Sequence, residues 1–217
     1  MAVLIAKQEI VNPSQHMRPE ERTRFTGKAS MKPLTLAASV VLTIALYAPL
    51  ARPQADSPGE YQLKAAFLFN FAKFVEWPHN TFPSPTSPFE ICILGDDPFG
   101  PAIDDVLRGK AIGEHPVVVT RCKDLAETHH CQILFVSSSE RKRLPEIFGA
   151  LKGSNALVIG ETDGFAASGG TIQFTLEDAH VRFMINTDAA ERAGLQISSK
   201  LLVLAKIVRE VPGNGKG

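Results

Sequence analysis

The chain has 217 residues, 44% hydrophobic and 21% charged, an ordinary globular composition that predicts one folded domain. Its 23 basic and 23 acidic residues cancel, and no run of Lys or Arg is interleaved with aromatic side chains. This pattern excludes nucleic-acid binding, which needs a basic surface, and does not favour binding to anionic membranes.

The beginning of the chain has the pattern of a targeting segment. Residues 1–30 are polar and without sustained periodicity, which predicts a disordered or upstream extension. Residues 31–55 have a short positive region, an apolar core and small residues, the pattern of a signal peptide, and the chain is therefore expected to be exported. An uncleaved membrane anchor is the alternative. The folded domain is expected over 56–211, with a disordered tail over 212–217.

The first element of the predicted domain is an unusually apolar helix over residues 60–77, ended by Pro78. Most of its apolar side chains share one broad face. Lys64 falls within that face, whereas Phe69 and Trp77 fall on the polar side. Since these two aromatic residues are not needed on the core face, Phe69 and Trp77 are predicted to form a dimer or partner surface.

Short apolar runs then alternate with helical segments, which predicts a mostly parallel sheet flanked by helices. Strands are predicted at 89–94, 116–120, 132–136 and 156–159, and helical segments at 102–107, 123–128 and 139–151. The remainder predicts a hairpin of strands 171–176 and 180–185, a helix over 187–194 and a final helix from 199 to about 209. The fold class is therefore α/β, with a C-terminal β-hairpin and a final helix.

Three cysteines acquire a role if the chain is exported, because an oxidising compartment lets them pair. Cys92 lies inside one predicted strand and Cys131 directly precedes another, so neighbouring strands can bring them within bridging distance. Pairing of Cys122 with Cys131, which would close a short loop, is the alternative. An odd number of cysteines leaves one thiol over.

The cysteines do not have the spacing of a metal site. His129, His130 and Cys131 are adjacent, but consecutive side chains of an extended strand point apart. A polar loop leading into a strand explains them, and no metal is predicted.

Polar residues follow two predicted strands at their carboxyl ends, where parallel sheets place ligands. Asp96 and Asp97 follow the first strand, and Ser137 lies between a later strand and a helix. Paired acids there are similar to the magnesium site of a receiver domain, but a receiver needs an Asp where this chain has serines. Turn formation and helix capping explain all three residues better.

The predicted strand VRFMIN carries two more polar candidates, Arg182 and Asn186. Arg182 is expected on the face opposite its apolar neighbours, where it could pair with Asp96, Asp97 or Glu177. A structural ion pair is the plainer interpretation, and a ligand or partner contact is the alternative.

The chain resembles the YfiR-like family of periplasmic proteins in six stretches that follow one another from about residue 60 to residue 208. They read YQLKAAFLFNFAKFVEWP, CILGDDPFG, CQILFVSSSE, GFAASGGTIQF, VRFMIN and ISSKLLVLAKIV. The resemblance implies a small, often dimeric α/β protein, whose best-known type restrains a membrane-bound diguanylate cyclase by contacting its periplasmic portion. It also implies a Cys92–Cys131 disulfide, leaving Cys122 as the third thiol, and it assigns no catalytic residues.

Taken together, these patterns predict a non-enzymatic periplasmic regulator without a cofactor. G-x-S-x-G, H-E-x-x-H and P-loop motifs do not occur in the sequence. The expected partners are the periplasmic region of an inner-membrane diguanylate cyclase and a second copy of the chain. An exported small-ligand-binding protein that uses Asp96, Asp97 and Ser137 is the alternative.

Overall fold

The computed structural model describes residues 58–209, and the predicted extension, signal peptide and tail lie outside them. Its α-helices are α1 Pro58–Phe74, α2 Pro101–Leu107, α3 Leu144–Ala150, α4 Thr187–Arg192 and α5 Ser199–Leu202. Two 3₁₀ helices cover Leu125–Thr128 and Ser138–Arg143. The strands are β1 Val75–Glu76, β2 Phe89–Leu94, β3 Ala111–Ile112, β4 His115–Cys122, β5 Ile133–Val136, β6 Leu157–Gly160, β7 Ile172–Glu177, β8 His180–Asn186, β9 Gln196–Ile197 and β10 Lys206–Val208.

Eight strands form one sheet in the order β10-β8-β7-β6-β5-β2-β4-β3. Five neighbouring strands, β4, β2, β5, β6 and β7, run parallel to one another. β8 is antiparallel to β7, and β10 runs parallel to β8. At the other edge the short β3 is antiparallel to β4. The predicted α/β class with a mostly parallel sheet is confirmed.

The central strands are buried on both faces because alternate side chains enter two different clusters. On the first face, Ile91 of β2 and Phe135 of β5 pack with residues of α1 and α2. On the second face, Leu94 and Leu134 pack with α3 and with the buried Phe165. The fold is therefore a sheet covered by helices on both sides.

The predicted hairpin is confirmed as β7 and β8, paired from Ile172↔Ile185 to Glu177↔His180. Asp178 and Ala179 join the strands with φ of 50° and 60°. Positive φ at both central residues is typical of the tight turns whose twist matches that of a hairpin.

The motif GFAASGG is a loop, as predicted, and its Phe165 packs against Gly170 of the loop and Gly160 at the end of β6. A Cβ atom at Gly160 or Gly170 would collide with the Phe165 ring, which is completely buried. The glycines at these two positions are needed for close packing against an aromatic side chain.

The first helix ends earlier than predicted, at Phe74 rather than at Pro78. Val75 and Glu76 leave the helix because they pair with Ile197 and Gln196 of β9. The helical periodicity that placed Trp77 on a polar face therefore does not apply to it. Trp77 packs edge-on against Phe89, with 5.1 Å between the ring centroids.

The predicted final helix over 199–209 is wrong beyond its first turn. The helix stops at Leu202, and β10 then pairs with residues 184–186 of β8. Leu204, which a continued helix would direct toward the core, is instead 71% exposed. Strand pairing by the β-branched Ile207 and Val208 overrides the helical periodicity of this segment.

Cys92 and Cys131 form a disulfide, with 5.9 Å between their Cα atoms. The disulfide links β2 to the short segment that precedes β5, and β5 is the strand that pairs in parallel with β2. Closing a loop between residues 39 apart in sequence stabilises a fold by about 4 kcal/mol in the chain-entropy model. Cys122 is a buried free thiol.

Within residues 58–209, none of the helices has both the length and the apolar character that crossing a bilayer requires.

Candidate functional site

Asp97 organises the loop that follows β2. One carboxylate oxygen accepts hydrogen bonds from the backbone N–H groups of Phe99 and Gly100, at 2.7 and 3.2 Å. The other accepts from Nε of Arg121 at 2.8 Å. The Asp97 side chain thus closes a turn by bonding to the backbone two and three residues on. The N-cap of α2 is Gly100, so the expectation that Asp96 or Asp97 caps this helix is wrong.

Arg121, on β4, joins two carboxylates at this end of the sheet. In addition to Asp97, its guanidinium donates to both oxygens of Asp104, at 2.6 and 3.2 Å, and to the carbonyl of Gly100. The hydrogen bond from Arg121 lowers the pKa of Asp104, and the same bond raises the pKa of Arg121. The arrangement fixes α2 relative to β2 and β4.

Arg182 does not form the ion pair that was the plainer expectation, and its contact with a ligand or partner stays a prediction. It lies exposed on β8 opposite Thr175. Among residues 58–209 it forms no ion pair with Asp96, Asp97 or Glu177.

Ser137 and Ser139 connect the loop after β5 to the loop after β2. Ser137 is the N-cap of the 3₁₀ helix that begins at Ser138, as capping predicts, and its Oγ accepts from the Ser139 N–H at 3.5 Å. The Oγ of Ser139 accepts from the Asp96 N–H at 3.0 Å. A side chain at Gly95, which has a φ of 92°, would collide with Ser139. The structure thus brings Asp96, Asp97 and Ser137 to one edge.

Asn186 lies apart from them at the end of β8, because β7, β6 and β5 stand between β8 and β2 in the sheet. It is completely buried, and its Nδ2 donates to the Ala166 carbonyl at 2.6 Å. Its Oδ1 accepts from the Ala189 N–H at 3.0 Å and so caps α4. The five polar candidates are therefore not one cluster, and both polar ends of Asn186 are occupied by structural hydrogen bonds.

A buried ion cluster that the sequence did not predict lies between α1 and the carboxyl end of β6. Nζ of Lys64 is 2.6 Å from the Glu60 carboxylate and 2.7 Å from that of Glu161, and the Lys64 side chain is only 6% exposed. Tyr61 donates a hydrogen bond to Glu161 at 3.1 Å. The sequence signalled Lys64 as a charge on an apolar face, but a partner 97 residues away leaves no local pattern.

Burial by itself lowers the pKa of Lys64, but the hydrogen bonds and negative charges of Glu161 and Glu60 outweigh it, so the pKa is raised. The lysine therefore stays charged through the physiological range. The cluster fastens α1 to the sheet.

The Phe69 side chain of α1 is half-buried and packs against the core. Two ammonium groups approach the ring, with Nζ of Lys73 at 5.6 Å and Nζ of Lys110 at 5.5 Å from its centroid. An aromatic ring flanked by two cations suits an acidic partner that carries an apolar anchor. The Trp77 indole Nε1 is buried and has no hydrogen-bond partner within residues 58–209.

A groove of about 760 Å³ lies on the second face, between α3 and the loop over 161–171. Phe148 and Val158 are part of its apolar lining, and its charged lining residues are Arg141, Lys152, Arg192 and a single carboxylate, Asp163. Thr162 also lines it, and the Thr162 Oγ1 is buried without a hydrogen-bond partner in the described part of the chain. The groove is not the site predicted at Asp96, Asp97 and Ser137.

We expect Lys64→Met to destabilise the fold by roughly 3–5 kcal/mol, because it leaves two carboxylates buried without their cation. Urea unfolding followed by circular dichroism measures this. Since the pKa of Lys64 is raised above the unfolded value, its stabilisation should persist at least to about pH 10 and be lost as the pH passes the folded pKa.

Lys73→Met on the same helix is the matched control, since Lys73 is exposed and should change stability by no more than about 0.5 kcal/mol. Equal effects of the two substitutions would contradict the role of the ion cluster.

Two solved structures resemble this one weakly. A conserved domain protein from Vibrio cholerae O1 biovar eltor has a TM-score of 0.46 and 10% identity over 69% of this chain and 60% of that one. An ABC domain in complex with L-Trp from Streptococcus pneumonia has a TM-score of 0.47 and 11% identity over 68% of this chain and 62% of that one. The chain thus spans less than two thirds of the length of either structure. No curated protein matches the sequence.

A family model described as YfiR/HmsC-like matches residues 61–206, which is more than half of the chain and nearly all of the described domain. The match covers all six stretches in which the sequence resembles that family, apart from the last residues of the final one. The chain therefore belongs to the YfiR/HmsC-like family.

Proposed function

We propose that this protein is a non-enzymatic periplasmic regulator of cyclic di-GMP signalling. It binds the periplasmic part of a membrane-bound diguanylate cyclase and represses it, which lowers the level of cyclic di-GMP. The observation that carries the proposal is the family match over residues 61–206, since the best-known type in this family acts in this way.

The polar residues at the ends of the strands support a binding role rather than catalysis. Asp97 closes a turn and pairs with Arg121, Ser137 caps a 3₁₀ helix, and Asn186 caps α4. A general acid, base or nucleophile must be able to reach a substrate. These side chains are instead engaged with the protein's own loops and helices.

The Phe69 surface, which we define as Phe69 with Lys73 and Lys110, is the proposed contact for the cyclase or for a second copy of the chain. Aromatic side chains contribute strongly when they are buried in an interface, and the two lysines favour acidic groups opposite. Trp77 remains part of the proposal, although its ring is anchored on Phe89.

Repression requires that the regulator bind the inactive state of the cyclase more tightly than the active state. The shift in activity cannot exceed the ratio of the two affinities. A tenfold preference corresponds to about 1.4 kcal/mol, so a few contacts made in only one state suffice.

The groove on the second face favours a second function, that of an exported protein that binds a small ligand. Its volume suits a molecule of the size of common metabolites. Apolar lining beside Arg141 and Lys152 suits an organic anion with an apolar body. The unpartnered Thr162 hydroxyl provides a further polar contact.

Deleting the gene should raise cellular cyclic di-GMP, measured by mass spectrometry, because the cyclase loses its repressor. Expression of the full chain should restore the original level. A version lacking residues 31–55 should not restore it if the protein acts outside the inner membrane. An unchanged level after deletion would contradict the proposed function.

Phe69→Glu should weaken binding to the periplasmic part of the cyclase at least tenfold, about 1.4 kcal/mol, measured by calorimetry. The fold should survive, since the new carboxylate lies between two lysines at a half-buried position.

The matched control is Leu63→Glu, because Leu63 is 46% exposed on the same helix and lies about 120° away around its axis. Equal affinities of wild type and Phe69→Glu would place the interface elsewhere. Global unfolding of Phe69→Glu would identify Phe69 as a core residue.

If the groove binds an organic anion, a panel of such compounds should contain one that raises the melting temperature of the purified protein in a saturable way. Phe148→Asp should abolish that rise, since it places a negative charge on the groove lining. A rise of the same size in Phe148→Asp would exclude the groove as the binding site.

A further inference from the structure

Three cysteines that are far apart in sequence meet on the second face of the sheet. Cys92 is in β2, Cys122 ends β4, and Cys131 lies two residues before the start of β5. They meet because β2 lies between β4 and β5. All three are buried, and their sulfur atoms lie within 4.8 Å of one another.

This spacing suits shared metal coordination once the disulfide is reduced. A dithiol reductant supplies two electrons and two protons, forms its own disulfide and converts Cys92 and Cys131 to thiols. Zinc–sulfur bonds of about 2.3 Å place tetrahedral thiolates about 3.8 Å apart. The Cys122 sulfur is therefore no more than about 1 Å beyond the required separation from the other two sulfurs, whereas the Cys92 and Cys131 sulfurs, bonded to each other in the oxidised protein, must move apart on reduction.

His130 adds a nitrogen ligand beside the thiolates. A ring nitrogen of His130, a carboxylate oxygen of Glu90 and the Cys92 sulfur also lie within 4.8 Å of one another. His129 and His130 form a turn rather than an extended strand, so the sequence argument that His130 and Cys131 point apart does not apply. His130 and Cys131 both lie close to Cys92.

The contact between His130 and Glu90 is of the kind that orients zinc-bound histidines. Nε2 of His130 is 2.9 Å from Glu90 Oε2. A carboxylate in that position fixes the imidazole and increases its basicity.

The charges around the cluster favour a divalent cation. Three thiolates bring three negative charges into a buried place, and Glu90 and Glu127 add to them. Zn²⁺ neutralises more of this charge than a monovalent soft cation would.

We propose that the reduced protein binds one Zn²⁺ through Cys92, Cys122 and Cys131, with the His130 ring, which lies beside Cys92, turning in to supply the fourth ligand. The bound metal and the Cys92–Cys131 disulfide are mutually exclusive states of one site. The proposal is independent of the cyclase, because it concerns the second face rather than the Phe69 surface.

Co²⁺ titration of the full domain, reduced with a phosphine and kept under inert gas, tests this. We expect one equivalent to give thiolate-to-cobalt charge-transfer absorbance and the visible bands of tetrahedral Co²⁺, both removed by one equivalent of Zn²⁺. The oxidised protein should give neither signal. Near-ultraviolet circular dichroism in the same titration reports whether the reduced fold persists or is restored by metal.

Cys122→Ser is the discriminating variant, because it keeps the disulfide and removes one ligand. Reduced Cys122→Ser should lose most of the charge-transfer absorbance, and Glu90→Gln should bind Co²⁺ about 10- to 100-fold more weakly. Equal spectra for wild type and Cys122→Ser would overturn the proposal. A reduced chain that stays unfolded when metal is added would overturn it as well.

Discussion

Burial of both faces of β2, β5 and β6 is the constraint on which the rest of the structure depends. Their backbone groups are paired within the sheet, and nearly every side chain is inaccessible to solvent. Each face therefore needs its own cover. The apolar α1 provides it on the first face together with α2, and α3 and Phe165 provide it on the second. The ion cluster at Lys64 fastens α1 to the residue that follows β6, and the disulfide at Cys92 ties β2 to the segment that precedes β5.

Elements defined by local pattern could be predicted from the sequence, and elements defined by distant partners could not. FEICIL has a run of apolar residues ended by Gly95, and β2 has the predicted bounds. Segment 203–208 has helical periodicity, yet its conformation is set by residues 184–186 of the neighbouring strand. The same limit applies to Trp77, since the end of α1 is determined by β9.

The site shows the same division. Ser137 was predictable as a cap because a cap acts within a few residues. The partner of Lys64 was not, because nothing near Glu161 in the sequence indicates α1. Residues with similar sequence environments also separate in space: Asp97 follows the apolar β2 and Asn186 ends the apolar β8, but three strands of the sheet lie between β2 and β8. Only topology distinguishes them.

The wide apolar surface of α1 has a consequence for the order of folding. The helix comes first in the domain, yet it packs against Phe174 and Phe183, and the residue after it pairs with β9. Such contacts close late and slow folding, because they join distant parts of the chain. Until the C-terminal strands are available, α1 has no complete cover. A nascent or translocating chain thus presents this apolar helix before its cover exists, and exposed apolar surface of this kind is what chaperones bind.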